Sequence, residues 1–282
     1  MKSLIARTLT GIAFVAILVG AIILSPVTFI AIFLAVTGLC MWEFSSLVND
    51  YAGASVNRLI NTVAGGYLFV AFATYLSGYQ NSEVFIPYLV SVLYLPIAEL
   101  YLKKADPLKN WAYAFASQIY VALPFSLLSA LAFVGDSVTG DVGYNWLLPL
   151  SVFIFLWVND TGAYAFGCTL QGKLPAKLFP RISPRKSWVG SVGGGLCVIL
   201  AAVVLNAAFP GNMSLVQWIG LALTVCVAGT WGDLVESHLK RQLGIKDSGT
   251  LLPGHGGLLD RFDSALLAIP ASVLYLYTIH FF

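Results

Sequence analysis

Apolar residues run along this chain in long unbroken stretches, with short polar segments between them. A helix that crosses the hydrocarbon core of a bilayer needs about 20 mostly apolar residues. By that measure nine stretches predict spanning helices, at 8–24, 27–48, 59–76, 84–102, 111–134, 146–166, 188–209, 215–230 and 262–281. Ser25-Pro26 turns the chain between the first two, and Pro210-Gly211 breaks it between the seventh and eighth. Pro87, Pro124 and Pro270 fall inside apolar stretches, where membrane helices tolerate proline as a kink. The expected fold is all-α, a polytopic membrane protein of about nine transmembrane helices. Lys2 and Arg7 ahead of an apolar run give the start the look of a secretory leader. No A-x-A site follows and a second apolar run begins at once, so the first helix is read as retained.

Composition sharpens this picture. Of 282 residues 59% are hydrophobic and only 10% charged, against about 25% charged in a soluble domain. Mean hydropathy is +0.85. A globule this apolar could not cover itself with polar groups, so lipid is the expected solvent. The four cysteines are scattered, without CxxC or Cys/His metal spacing, and imply no disulfide framework. No repeat, low-complexity tract or soluble domain interrupts the chain. It reads as one membrane unit, with helices one to five in 1–135 and helices six to nine, carrying the chemistry, in 136–282.

The charges are sorted. All fifteen Lys and Arg residues fall at the N-terminus or in the connections after helices two, four, six and eight, whereas the other connections carry only Glu83, Asp136 and Asp141. By the positive-inside rule the N-terminus is cytoplasmic and the C-terminus periplasmic.

Two of the basic connections are rich in Gly and Pro. The first contains Asn159-Asp160, Tyr164, Lys173 and Ile182-Ser183-Pro184-Arg185-Lys186-Ser187-Trp188. An ionised Asp160 inside an apolar helix costs at least about 3 kcal/mol unless it is paired or wet; the alternative is a helix-end carboxylate reaching interfacial water. Lys173, Arg185 and Lys186 suit phosphates, with Ser183 and Ser187 as hydroxyl donors, or are ordinary cytoplasmic charge beside anionic headgroups. Gly190, Gly193, Gly194 and Gly195 open helix seven either to a ligand or to close packing.

In the second, Asp233, Glu236, Ser237, Lys240 and Arg241 share one face if the segment is helical. Carboxylates at one end and cations at the other suit a metal-dependent phosphoryl site. Lys246-Asp247 follows, then Pro253-Gly254-His255-Gly256-Gly257, whose glycines can expose N–H groups to an anion. His255 is a candidate base or phosphate donor, or a turn residue. Asp260, Arg261 and Asp263 open helix nine, where both aspartates also suit helix capping.

Ser237-x-x-Lys240-Arg241-x4-Lys246-Asp247 followed by His255-Gly256-Gly257-x-x-Asp260-Arg261-x-Asp263 resembles the signature of the phosphatidate cytidylyltransferases (CDP-diacylglycerol synthases). The first stretch resembles the same family's Asn-Asp…Tyr…Gly-Lys…Ser-Pro-Lys-Lys-Ser-Trp pattern. Two positions depart from it: Cys168 stands where the family has Arg, and Val189 where it has Glu.

The resemblance implies a nucleotidyltransferase of phospholipid biosynthesis: CTP and phosphatidic acid give CDP-diacylglycerol and pyrophosphate. It implies Mg²⁺, with room for a monovalent cation such as K⁺. Asp233 and Asp260 are then the first metal ligands, supported by Glu236 and Asp263. Lys240, Arg241, Lys246 and Arg261 would hold phosphates beside Asp247 and His255 in the catalytic set. Asp160, Lys173, Ser183, Arg185, Lys186, Ser187, Ser237, Gly256 and Gly257 would seat lipid or nucleotide. A homodimer in a bacterial inner membrane, its site facing the cytoplasm, and no nucleic-acid partner complete the expectation. A CTP-using lipid kinase would release CDP instead, and a transporter would need carboxylates along a path through the membrane.

Overall fold

Each of the nine apolar stretches forms helix in the computed structural model, which describes residues 2–101, 103, 106–135, 141–170, 172, 176–251 and 256–281. The first three helices are α1 (Lys2–Leu24), α2 (Pro26–Tyr51) and α3 (Arg58–Thr74), the last extended by a π turn at Tyr75–Tyr79. A 3-10 turn at Ser82–Phe85 leads into α4 (Ile86–Tyr101). The fifth run is α5 (Pro107–Ser117) and α6 (Leu123–Ala132), joined through a π turn at Gln118–Ala122. Then come α7 (Leu147–Leu170), α8 (Trp188–Ala208), α9 (Leu215–Gln242), the short α10 (Leu259–Phe262) and α11 (Ala265–Thr278). Among the described residues seven helices are long and apolar enough to cross a membrane, and Thr8–Leu24 forms a shorter apolar one. The chain is an all-α polytopic membrane protein.

Local chemistry sets several boundaries. Ser25 and Thr28 cap α2 reciprocally, each hydroxyl accepting the other's backbone N–H at 3.1 Å, with Pro26 in the first turn. Asp106 accepts from Lys109 N at 3.0 Å, and Pro107 follows it. The fifth helix therefore starts at Pro107, ahead of the apolar run expected from 111, because a cap extends it into polar sequence. Likewise α9 does not stop at 230. It runs 28 residues, about 42 Å, because its polar end carries a Glu236–Lys240 pair at 2.8 Å and basic residues in the last turn.

The expected fold contains no strands, yet two small antiparallel hairpins are present. They are β1 (Phe133–Gly135) with β2 (Val142–Tyr144), and β3 (Lys177–Phe179) with β4 (Ser183–Ser187). Pro184 sits in a two-stranded sheet with an irregular register, where a missing N–H is tolerated.

The chain divides into two compact units, 1–149 with 243–262, and 150–242 with 263–282. The first holds α1–α6 and α10. Phe262 of α10 packs edge-on against Phe14 and Phe125, with ring centroids at 5.6 and 5.2 Å. A buried amide network ties α2, α3 and α5 together. Asn61 Nδ2 donates to Ser45 and Ser117 hydroxyls at 2.9 and 2.7 Å, and Gln118 Nε2 donates to Asn61 Oδ1 at 2.8 Å. Interhelical hydrogen bonds of this kind hold helices together where lipid removes the hydrophobic drive.

The second unit packs α7, α8, α9 and α11 through small residues. A Cβ on Gly162 of α7 would fall 2.8 Å from Cys197 Sγ, and one on Gly190 of α8 would fall 2.9 Å from Ala163 O. Gly193 and Gly194 leave no room for a Cβ beside Phe166 and Asn159. These glycines serve close packing. The opposite face of α8 presents Leu196, Leu200 and Val204, all more than half exposed, as a lipid-facing surface requires.

Candidate active site

Two groups of polar residues are assembled, one in each unit. In the second unit Asp160 lies well inside α7, which continues to Leu170, so it is not a helix-end carboxylate. Its neighbour Asn159 is buried and held by α9: Cys226 Sγ donates to its Oδ1 at 3.1 Å, and its Nδ2 reaches Thr230 Oγ1 at 3.5 Å. The β3–β4 hairpin brings Lys186 to the same helix. Lys186 Nζ pairs with Asp233 Oδ2 at 2.6 Å and donates to Thr230 O at 3.4 Å.

Asp160, Tyr164, Cys168, Lys177, Arg185, Lys186, Ser187, Gly190 and Thr230 line a cavity of about 420 Å³. Ser187 is the N-cap of α8, its Oγ accepting from Gly190 N at 3.2 Å. The cavity therefore meets a helix N-terminus as well as three cations, a combination that favours anions. Cys168, where the family's pattern has Arg, faces this cavity, so the missing cation is missing from the place where the others gather. Val189 does not line it.

Continuous helix through Gln242 places the Asp233 stripe on one face, as its spacing predicts. Ser237 Oγ donates to Asp233 Oδ1 at 3.1 Å, and Glu236 is fully buried in its pair with Lys240. Gly232 lets the start of α11 lie against α9, for a Cβ there would fall 2.7 Å from Asp263 O. The carboxylates of Asp160, Asp233 and Asp263 consequently act on one another electrostatically, with Lys186 and Lys240 as countercharges.

In the first unit Asp260 is buried, and its Oδ2 accepts Ser248 N and Gly257 N, each at 2.9 Å. Gly256 has φ +83°, a conformation suited to glycine, and lies against Asp247 and Asp260. Lys246, Asp247 and Arg261 are exposed on the same unit, and Arg241 is exposed at the end of α9. Lys173 and His255 lie outside the described residues.

One carboxylate beside this loop is not among the residues expected from the sequence. Glu43, on the apolar α2, accepts Leu258 N at 2.8 Å and Leu259 N at 3.4 Å through Oε2, and Ser248 Oγ donates to its Oε1. The signal was available, since an ionisable side chain inside an apolar helix is a functional candidate by default.

Together these features define an integral membrane protein with a cation-rich, helix-capped cavity beside a group of carboxylates. The profile of the Cytidylyltransferase family matches residues 5–279, and the chain belongs to that family. It is 41% identical over 161 residues to a protein of Staphylococcus saprophyticus named phosphatidate cytidylyltransferase, covering 56% of each chain. A Staphylococcus epidermidis protein of the same name is 43% identical over 150 residues, 51% of this chain and 55% of that one. A Staphylococcus haemolyticus protein, also so named, is 40% identical over 161 residues, 56% of each. The matched stretch spans about half the length of these relatives.

Proposed function

We propose that this protein is a phosphatidate cytidylyltransferase of a bacterial plasma membrane, transferring CMP from CTP to phosphatidic acid at the cytoplasmic face. The cavity of the second unit carries this reading. Arg185, Lys186 and Lys177 converge there with the N-terminus of α8, and the family and the names of its relatives point to the same chemistry. The sorting of every Lys and Arg to one side supports the cytoplasmic placement.

In the proposed reaction a phosphate oxygen of the lipid attacks the α-phosphorus of CTP. A new P–O bond forms, the bond to the β-phosphate breaks, and pyrophosphate leaves in line with its electron pair. The lipid phosphate is already ionised near neutral pH, so no general base is required. Arg185 and Lys186 bind and orient the phosphates, and the α8 N–H groups favour their charge. Bringing the two substrates into line supplies much of the rate.

Mg²⁺ is part of the proposal. Hard carboxylate oxygens suit it, and it commonly keeps water and substrate oxygens as further ligands. Among the described residues no three His, Cys, Asp or Glu side chains form a metal cluster by themselves. The mutually repelling carboxylates around Asp233 fit an ion completed by substrate. The family's pattern assigns metal binding to Asp233 in the second unit, with Glu236 and Asp263 in support, and to Asp260 in the first; metal, when bound, would neutralise triphosphate charge. Assembly as a homodimer belongs to the same proposal, on that pattern. Asp233→Asn and Asp260→Asn are each expected to abolish turnover in detergent while the protein stays folded. Near-normal turnover in both would remove the metal assignment.

A further inference from the structure

Glu43 is a carboxylate that neither the signature nor the proposed reaction accounts for. It interrupts the apolar run of α2, in the sequence Trp42-Glu43-Phe44, and an unpaired carboxylate is costly at such a place. Among the described residues its bonds go to one loop of its own unit. Oε1 accepts from Ser248 Oγ, and Oε2 accepts from Leu258 N at 2.8 Å and Leu259 N at 3.4 Å. Asp260 holds the same loop as well, its Oδ2 accepting Ser248 N and Gly257 N at 2.9 Å. Ser248 is thus gripped by both carboxylates at once, by Glu43 through its hydroxyl and by Asp260 through its N–H.

The chain makes room for this contact. A Cβ on Gly257 would fall inside the Glu43 carboxylate, and one on Gly249 would lie 2.8 Å from Glu43 Oε1. Two glycines of the signature loop are therefore small for a stated reason, the approach of an α2 carboxylate. Gly257, read from sequence as a substrate-binding position, has a packing duty towards Glu43.

We propose that Glu43 is a positioning residue for the reaction, anchoring the Ser248 and Leu258 sides of the signature loop to α2 so that Asp260 is held in place. This rests on the cytidylyltransferase reading for its catalytic consequence, though not for the anchor itself. Outer supports of metal-binding carboxylates typically change activity or metal affinity by about 10–100-fold when removed. Glu43→Ala should lower kcat by a factor in that range and raise the Mg²⁺ concentration for half-maximal rate, with KM for phosphatidic acid changed little. Glu43→Gln, whose amide oxygen can still accept Leu258 N–H, should restore most of the rate.

The experiment pairs kinetics with amide hydrogen exchange on the whole 282-residue chain in detergent. The Leu258 and Leu259 amides are expected to be protected in the wild type and in Glu43→Gln, and to exchange faster in Glu43→Ala. Gly257→Ala should impair the wild type but do less harm in the Glu43→Ala background, since the tightest clash is with that carboxylate and the Ser248 hydroxyl, the other group in the way, is then free to rotate. Unchanged exchange in Glu43→Ala, or equal loss of rate in the Ala and Gln variants, would overturn the proposal. A wild type without lipid-dependent pyrophosphate release would sink the reaction and with it the positioning role. Exchange at Leu258 would in that case still decide the anchor.

Discussion

Replacing Lys186 by Met tests the electrostatics of the second-unit site in a way that can be worked out beforehand. Lys186 Nζ stands 2.6 Å from Asp233 Oδ2, and the two side chains retain 24% and 31% of their exposure. At an effective dielectric near 20, unit charges at that distance attract by about 6 kcal/mol. Partial dehydration of both groups cancels most of this. Truncating one member of a pair this sheltered should cost about 1–3 kcal/mol, between the values for exposed and buried pairs. In a chain of this size that corresponds to a fall in melting midpoint of about 2–10 °C. The loss leaves Asp233 facing the charges of Asp160 and Asp263. A divalent cation should relieve that repulsion, so the deficit should shrink as Mg²⁺ is added. Lipid-dependent turnover should fall by about 100-fold or more at saturating Mg²⁺, since in the proposed reaction Lys186 would also bind phosphate. Melting curves in detergent, at low and high Mg²⁺, are the assay. A variant that melts like the wild type at both concentrations, with normal turnover, would refute the reasoning.

Two further outcomes follow from particular residues. Cys168 is the exposed cysteine and lines the cavity, while Cys40 and Cys226 are buried; a maleimide should label Cys168 first, and CTP should slow that labelling severalfold. Equal rates with and without CTP would take the nucleotide out of this cavity. Asn61→Leu removes the amide that joins Ser45, Ser117 and Gln118 in the first unit, although Ser117 Oγ keeps Ala114 O and Gln118 Nε2 keeps the backbone O of residue 61. It should cost about 1–3 kcal/mol in thermal melts while leaving KM for CTP unchanged; an unaltered melting point would show the network to be incidental.

The membrane helices are legible because bilayer thickness imposes a length that apolar runs must meet, and few other forces compete. Their ends are less so. Asp106 and Pro107 start a helix by capping, and the Glu236–Lys240 pair keeps α9 helical in polar sequence, where hydropathy is silent. The β3–β4 hairpin could not be read from Lys177–Ser187, since three- and five-residue strands with a proline carry no usable alternation. Yet that hairpin delivers Lys186 to Asp233. The candidate site is read from charge and motif, and Asp160, Lys186 and Asp233 fall in one unit. Glu43 was passed over because it stands far from any motif. Its role depends on a contact between α2 and a loop more than 200 residues later, a relation that no local pattern in the chain announces.

The central claim is a transfer of CMP to lipid phosphate, and labelled CTP tests it most directly. Purified protein is supplied with phosphatidic acid, Mg²⁺ and CTP carrying radioactive phosphorus at either the α or the γ position. The account predicts that α-label enters the lipid fraction while γ-label leaves as pyrophosphate, each only when lipid is present. Label from the γ position in the lipid, with CDP released, would contradict it and make the protein a lipid kinase.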